Sequence, residues 1–261
     1  MGSTETLVAG SARRGLRRLQ TWWHIVHLGS LVLALGLSPA TYRAPWRAPL
    51  ALHLARGAGP LLGWFTLLAA VVSLVIIRIV LVTALGYGLS QYALEMVVRV
   101  LVIELIPLTA AFAVALRITV PASAELARLR REGALDALRR RGGDPLRGEI
   151  APRALAGMFA VALLAASSGV VALVLAYLLA HGFSPWGFER YTRLVGHVFS
   201  PAVSLVFVLK TLGLAAAVSL VPMGAALHDR GSAIGVEVQG LVRMFFAILV
   251  IETLSLMGNY L

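Results

Sequence analysis

The sequence predicts an all-α integral membrane protein with an N-terminal interfacial amphipathic helix and five transmembrane helices. The mean hydropathy is +0.86, and 59% of the residues are hydrophobic against 13% charged. A soluble fold has no room to bury so much apolar surface. Several apolar runs also reach the ~20 residues that a helix needs to cross a ~30 Å hydrocarbon core, where the backbone must satisfy its own hydrogen bonds.

Residues 1–59 are predicted to form a cytoplasmic and interfacial segment. Four arginines between positions 13 and 18 precede Trp22 and Trp23, and apolar residues follow them at helical spacing. This pattern favours a helix in the headgroup region with aromatic anchors. A cleaved signal peptide is the alternative for the same pattern. Prolines at 39, 45 and 49 end the helix, and further arginines at 43, 47 and 56 keep the segment on one side of the membrane.

Residues 60–261 are predicted to form one five-helix membrane domain. Pro107 is expected to kink the second span, and Pro222 to end the fourth. The five spans are expected at residues 61–85, 96–116, 154–180, 202–221 and 241–261.

A basic stretch from Arg117 to Arg153 separates the second and third spans and contains nine arginines. Its centre, residues 122–141, has leucines at 126, 129, 135 and 138, a spacing that predicts one amphipathic helix across the mouth of the domain. Two glycines and Pro145 then stop this helix. The alternative is a solvated basic loop that only fixes topology.

Basic residues predict the orientation of the chain. Eighteen arginines lie before the first span, between spans two and three, or beside the last connection, and three (Arg99, Arg190, Arg193) lie on the other face. The positive-inside rule therefore predicts a cytoplasmic N-terminus and, with five spans, an external C-terminus. Basic residues on the cytoplasmic side, near anionic headgroups, account for the net charge of +11, so nucleic-acid binding is not needed to explain it.

Motifs for catalysis are absent from the sequence. It contains no cysteine, no phosphate-binding loop and no zinc-protease or serine-hydrolase motif, and its only lysine, Lys210, lies inside a span. His24 and His27 share a helix face beside two tryptophans, which is more typical of an interfacial residue set than of a metal site. We therefore expect no enzyme activity, metal or cofactor in this chain, and any ATP must be hydrolysed by a partner.

The central residues carry a family resemblance. The pattern consists of Ile103-Glu104-Leu105-Ile106-Pro107, Arg117, Ala124-Glu125, Asp136-Ala137-Leu138, Asp144-Pro145 and Ala151-Pro152-Arg153. It continues less sharply through Lys210-Thr211, Gly231, Gly235-Val236 and Glu252. In these residues the chain resembles the MlaE-type (YrbE-type) permeases, the membrane subunits of ABC systems that move lipids with MCE-domain proteins. Departures from the family pattern at Ile103, Ile106 and Glu237 are typical of one member of a divergent or heterodimeric pair.

The resemblance implies a permease subunit of an ATP-driven lipid transporter in the bacterial inner membrane, its lipid a phospholipid or a sterol-like molecule. The implied partners are ABC ATPase subunits that bind ATP and Mg²⁺, a second permease subunit and external MCE-domain subunits. The helix at residues 122–141 becomes the coupling helix to the ATPase. Its expected contact residues are Glu125, Leu129, Arg130, Arg131, Asp136 and Leu138, with Glu125 near the helix N-terminus and Asp136 paired with Arg139, with Arg140 or with the ATPase. The alternatives are a non-transporting scaffold and a secondary transporter driven by protons through Glu104 or Glu252.

Four charged residues inside the spans are expected at one depth, roughly 12–14 Å beneath the outer surface at ~1.5 Å per helical residue. They are Arg78, Glu104, Lys210 and Glu252. Because unpaired charge is costly at this depth, they are expected to face inward, with Arg78 close to Glu104. They form either structural ion pairs or the polar floor of an outward-open lipid pocket, in which Arg78 or Lys210 binds a phosphate headgroup.

Overall fold

The computed structural model describes residues 23, 25–36, 38, 47–228 and 233–260, and this part of the chain is helical apart from short connections. Five helices are long and apolar enough to span a membrane, which confirms the predicted fold class. The helices are α1 (Ile25–Gly36), α2 (Arg47–Gly86), α3 (Ser90–Val97), α4 (Ile106–Val114), α5 (Val120–Arg131), α6 (Ala134–Arg140), α7 (Ala151–His181), α8 (Phe188–Val198), α9 (Pro201–His228) and α10 (Ala233–Tyr260).

The first membrane helix is longer than the sequence indicates. The expected span begins at Leu61, whereas α2 begins at Arg47 and runs through Pro60 for 40 residues. Ala58 and Leu61 are buried in the core on either side of this proline. Packing therefore holds the helix together where proline removes one backbone hydrogen bond.

The short helix α1 packs into one end of the bundle. Val32 is fully buried, and Leu28 and Val32 join a core cluster with Leu220 and Met223 of α9. Trp23, just before α1, is 71% exposed, as expected for an interfacial anchor. Trp22 and the segment at residues 39–46 lie outside the described residues, so the interfacial depth of α1 stays a prediction.

Three π-helical segments interrupt the second and third spans, at Val98–Leu105, Ala115–Thr119 and Leu146–Ile150. In each case a proline stands two residues after the last residue of the π segment: Pro107, Pro121 and Pro152. A proline ring clashes with the carbonyl four residues before it and cannot donate to that carbonyl, and a wider preceding turn relieves both problems. The kink expected at Pro107 thus takes the form of a wider, π-helical turn before the proline.

The basic stretch forms two helices, and the prediction of one helix over residues 122–141 is wrong. Its first part, α5, continues the second span, so Tyr92–Arg131 is one unbroken run of 40 helical residues. Gly133 then adopts a left-handed conformation (φ 73°) and separates α5 from α6. Glycine takes this conformation at helix ends at no steric cost, and α5 accordingly stops there.

Small residues allow the central helix α7 to approach its neighbours closely. A Cβ atom at Gly157 would lie 2.6 Å from Ser219 Oγ on α9 and 2.7 Å from Thr119 Cγ2 in the second π segment. Ala160, Ala172 and Ala176 on the same helix are fully buried. In lipid no hydrophobic effect drives helices together, so close backbone packing of this kind stabilises their association.

Candidate functional site: a buried charge cluster and an exposed basic bend

Three charged side chains from three helices meet inside the bundle. Lys210 lies on α9, Glu252 on α10 and Glu104 near the end of the first π segment. The Lys210 Nζ atom lies 2.6 Å from Glu252 Oε2 and also donates to Glu104 Oε2. Its side chain is fully buried, whereas the two carboxylates are 16% and 17% exposed. The ammonium is therefore enclosed by its two partners.

The cluster also contains a residue that sequence reasoning missed. Asn259, near the end of α10, donates from Nδ2 to Glu104 Oε1 at 2.9 Å. Asn259 lies seven residues after Glu252, two helical turns along the same face, and this spacing is the signal that could have identified it. Glu252 Oε1 and Asn259 Oδ1 are buried without a hydrogen-bond partner in the described part of the chain. With both glutamates ionised, two carboxylates around one ammonium leave the cluster with an excess negative charge.

Arg78 does not belong to this cluster, so the predicted pairing of Arg78 with Glu104 is wrong. Its side chain is exposed on α2, and no described residue forms an ion pair or hydrogen bond with it. The face of α2 that packs in the bundle contains Phe65, Ser73 and Ile77, and at 100° per residue Arg78 points away from it. Lys210 also has no free face for a lipid phosphate, because two carboxylates occupy it.

A second ion cluster lies at the other end of the second and third spans. Arg153, at the start of α7 and 7% exposed, binds Glu149 and lies 3.6 Å from Glu125 of α5. Glu125 is the sixth residue of α5 and forms no cap at its N-terminus, which corrects the expected placement at a helix entry. The carboxylate instead ties α5 to α7, at the point where α5 leaves the bundle.

The bend between α5 and α6, from Arg128 to Arg141, presents a basic surface. We call these residues the basic bend. Arg131 and Asp136 are exposed, whereas Leu129 and Leu138 are half-buried. Arg130 differs from its neighbour, because its guanidinium donates to the Ala226 carbonyl at 3.1 Å, near the end of α9. Asp136 forms no ion pair with Arg139, Arg140 or any other described residue, so the local pairing expected for it is not found.

A cavity of about 510 Å³ lies between the basic bend and α1. Its walls include Leu28 of α1, Asp136 and Arg139 of α6, and Leu146. The cavity is open and has both apolar and charged walls. Among the described residues no group of three potential ligands is arranged to hold a metal ion.

Comparison with known families supports the expectation drawn from the residue pattern. A family model described as Permease MlaE matches residues 52–257. No curated protein matches the sequence. Since the family match covers most of the chain and nearly the whole of all five membrane-spanning helices, the protein belongs to the MlaE permease family.

Proposed function

We propose that this chain is the permease subunit of an ATP-driven lipid transporter in the bacterial inner membrane. Its lipid is a phospholipid or a sterol-like molecule. In this proposal two permease subunits form the lipid path, ABC ATPase subunits supply the energy, and MCE-domain subunits exchange lipid on the outer side. Family membership supports a permease role. The buried charge cluster and the basic bend support coupling to ATP hydrolysis by a partner.

The observation that carries the proposal is the unbroken helix Tyr92–Arg131, which connects Glu104 in the buried cluster with Arg131 in the basic bend. Twenty-seven residues separate these two positions, about 40 Å along a helix at ~1.5 Å per residue. A movement imposed on the basic bend by an ATPase is therefore transmitted to the polar centre of the bundle through one element.

On the positive-inside rule the basic bend faces the cytoplasm, where an ATPase is located. The exposed Arg131 and Asp136 and the cavity beside α1 provide the contact surface, whereas Glu125 and Arg130 join that surface to α7 and α9. Of the coupling residues expected from the sequence, Arg131 and Asp136 are thus proposed to bind the ATPase, and Glu125 and Arg130 to transmit its movement.

Reconstitution of the purified complex in vesicles tests this function. We expect labelled lipid to move between the vesicle and an acceptor only when ATP and Mg²⁺ are present, and not with a non-hydrolysable ATP analogue. A stable complex with the ATPase that hydrolyses ATP without lipid movement would favour the non-transporting scaffold.

The second candidate function is proton-coupled transport, and the excess carboxylate of the cluster favours it. Glu252 has one buried oxygen without a partner, which is able to carry a proton. If lipid moves in response to an imposed pH gradient without ATP, and Glu252→Gln abolishes that movement, the secondary transporter is the correct function.

A further inference from the structure

A cavity of about 500 Å³, separate from the one beside the basic bend, lies between α2 and the end of the second membrane span. Its walls include Trp64 of α2, Arg117 of the second π segment and Glu125 of α5. Its volume lies in the ~300–1,000 Å³ range that is usual for small-molecule sites. The cavity is open, so a molecule of headgroup size can enter it from outside the bundle.

Exposed aromatic residues place this cavity at the level of lipid headgroups. Trp64 and Tyr87 are 66% and 78% exposed, and they are 23 residues apart. This separation is about 35 Å along a helix, slightly more than the ~30 Å hydrocarbon core that aromatic belts enclose. Trp64 therefore lies at one boundary of the hydrocarbon core, and on the positive-inside rule this is the cytoplasmic boundary.

The surface around the cavity changes from apolar to charged in the same order as a phospholipid of that leaflet. Nearer the membrane centre, Leu67 follows Trp64 by three residues and is 60% exposed, and Leu116 is 68% exposed. Arg117 comes next, and Glu125 lies eight residues later, about 12 Å further from the membrane centre. Acyl chains, phosphate and the terminal group of a phospholipid occur in this order.

Arg117 presents a cation to the cavity. Its side chain is exposed, and no described residue forms an ion pair or hydrogen bond with it. A guanidinium has a planar fork of donors that matches two phosphate oxygens. The phosphate of a lipid at this depth is therefore a suitable partner for Arg117.

Glu125 presents an acceptor at the outer end of the same cavity. Its Oε1 atom lies 3.6 Å from Arg153, and no described residue binds its Oε2 atom. Its side chain is 52% exposed, whereas Arg153 is buried and also bound to Glu149. The charges of these three side chains and Arg117 cancel. A cavity of this kind favours a zwitterionic headgroup over one with a net negative charge.

We propose that this cavity binds the headgroup of an ethanolamine phospholipid from the cytoplasmic leaflet. Arg117 binds its phosphate, Glu125 accepts hydrogen bonds from its ammonium group, and Trp64 lies beside the start of its acyl chains. A choline phospholipid binds less well, because its quaternary ammonium has no N–H group to donate. Binding of this lipid does not require that the complex transports it.

Photo-crosslinking to lipid in vesicles tests the site. The full-length chain, with its associated subunits, is placed in vesicles of phosphatidylethanolamine and phosphatidylcholine in equal amounts, with identical acyl chains and a small share of diacylglycerol. The probe p-benzoylphenylalanine replaces Trp64, and a control replaces Trp23, which is 71% exposed and does not line the cavity. Mass spectrometry identifies the captured lipids. We expect the ratio of ethanolamine to choline lipid to be about threefold higher at position 64 than at position 23.

Variants separate the two polar contacts. Arg117→Gln should lower the ratio of phospholipid to diacylglycerol at position 64 about threefold. Glu125→Gln should remove the preference for ethanolamine over choline and leave the preference for phospholipid. Arg147→Gln removes the same charge at a side chain that is 51% exposed and outside the cavity, and it should change neither ratio.

Gly57→Leu tests the cavity without changing a charge. Gly57 lines the cavity, and an added Cβ atom would lie 3.4 Å from Ile118 Cγ2, an ordinary contact distance. The larger side chain should reduce the space for a headgroup, and both ratios should fall towards those at position 23. Unchanged ratios in this variant or in Arg117→Gln would contradict the site.

Three further outcomes would overturn the proposal: the same lipid composition at positions 64 and 23, capture of a polypeptide at position 64, or loss of both preferences when inorganic phosphate is added. The last outcome would assign the site to a free anion. The comparison of the two lipids uses unaltered Glu125, so it holds even if Glu125→Gln does not fold. No ATP is added, and failure of this site is therefore distinguishable from failure of ATP-driven transport.

Discussion

Lys210 and Glu252 join α9 to α10 through an ion pair of 2.6 Å, and the same ammonium binds Glu104 of the second span. One cation therefore holds three membrane helices together at a single point. The consequence for stability is asymmetric, because loss of the cation leaves two carboxylates close together in a buried place.

Lys210→Met should destabilise the folded protein. Breaking a buried pair by removing one partner costs about 3–5 kcal/mol, because the remaining charge stays buried without compensation. We expect a lower yield of folded protein and a lower melting temperature in detergent. Leu212→Met, at a position that is 51% exposed, is the control. Normal stability with loss of lipid transport alone would instead assign Lys210 to substrate binding.

The two glutamates should differ in their effect on stability. Glu104 uses both carboxylate oxygens, for Lys210 and Asn259, whereas Glu252 has one oxygen without a partner. One additional hydrogen bond to a charged group contributes about 1.5–3 kcal/mol. Glu104→Gln should therefore lower the free energy of unfolding more than Glu252→Gln by about this amount. Equal losses in denaturant titrations of the two variants would contradict the assignment of these contacts.

Two neighbouring arginines in the basic bend should separate ATPase binding from folding. Arg131 is exposed, whereas Arg130 donates to the Ala226 carbonyl. Arg131→Glu should leave a stable permease that no longer co-purifies with its ATPase. Arg130→Glu should in addition lower the melting temperature, because the tie to α9 is lost. If the ATPase co-purifies in full amount with Arg131→Glu, that residue is not part of the contact surface.

Gly157→Val should disturb the packing of α7. Its Cβ atom would lie 2.6 Å from Ser219 Oγ and 2.7 Å from Thr119 Cγ2, so these side chains, or the helices that carry them, must move to admit it. Overpacking of this kind costs about 1–3 kcal/mol. Gly63→Ala is the control, because nothing lies within 4 Å of an added Cβ at that position of α2. Equal melting temperatures for the two variants would show that α7 packs more loosely than described.

Tyr191, in the connection between the third and fourth spans, should make stability depend on pH in the alkaline range. Burial raises the pKa of its phenol from 10.0 to about 12, and the hydroxyl donates to the Leu173 carbonyl at 2.7 Å. The unfolded chain loses this proton above pH ~10 while the folded chain retains it. The stability is therefore complete below pH ~10 and falls as the pH rises towards 12, by up to about 3 kcal/mol.

Tyr191→Phe removes this titration. The variant should be less stable by about 1 kcal/mol at neutral pH, through the lost hydrogen bond, and should lose less stability than the unaltered protein between pH 10 and 12. Parallel pH profiles of the two proteins, measured by thermal unfolding in detergent, would contradict this role.

The fold class and the cluster residues could be predicted from the sequence, because apolar length and the cost of intramembrane charge are local properties. Glu104, Lys210 and Glu252 were expected at one depth and do meet. Arg78 was assigned to them by depth alone, and depth does not specify the face of a helix. Its position relative to Phe65 and Ile77, both buried, places it on the opposite side of α2.

Helix boundaries were less predictable for a different reason. The first span was expected to begin at Leu61 and the second to end at residue 116, but packing in one case and a π segment in the other carry the helix past these positions. Conversely, Gly133 was included within one amphipathic helix, although its left-handed backbone ends α5. Leucine periodicity continues across such a break because both helices have a half-buried face.

The π segments in the second span add a further property to the element that connects Arg131 with Glu104. Each inserts an extra residue into a turn, and the position of such an insertion can shift along a helix by exchanging neighbouring hydrogen bonds one at a time. Each residue that the insertion passes changes its direction about the helix axis by about 100°, without unfolding of the helix. The residues between the two π segments are thus able to turn a different side towards α9 while both ends of the helix stay in place.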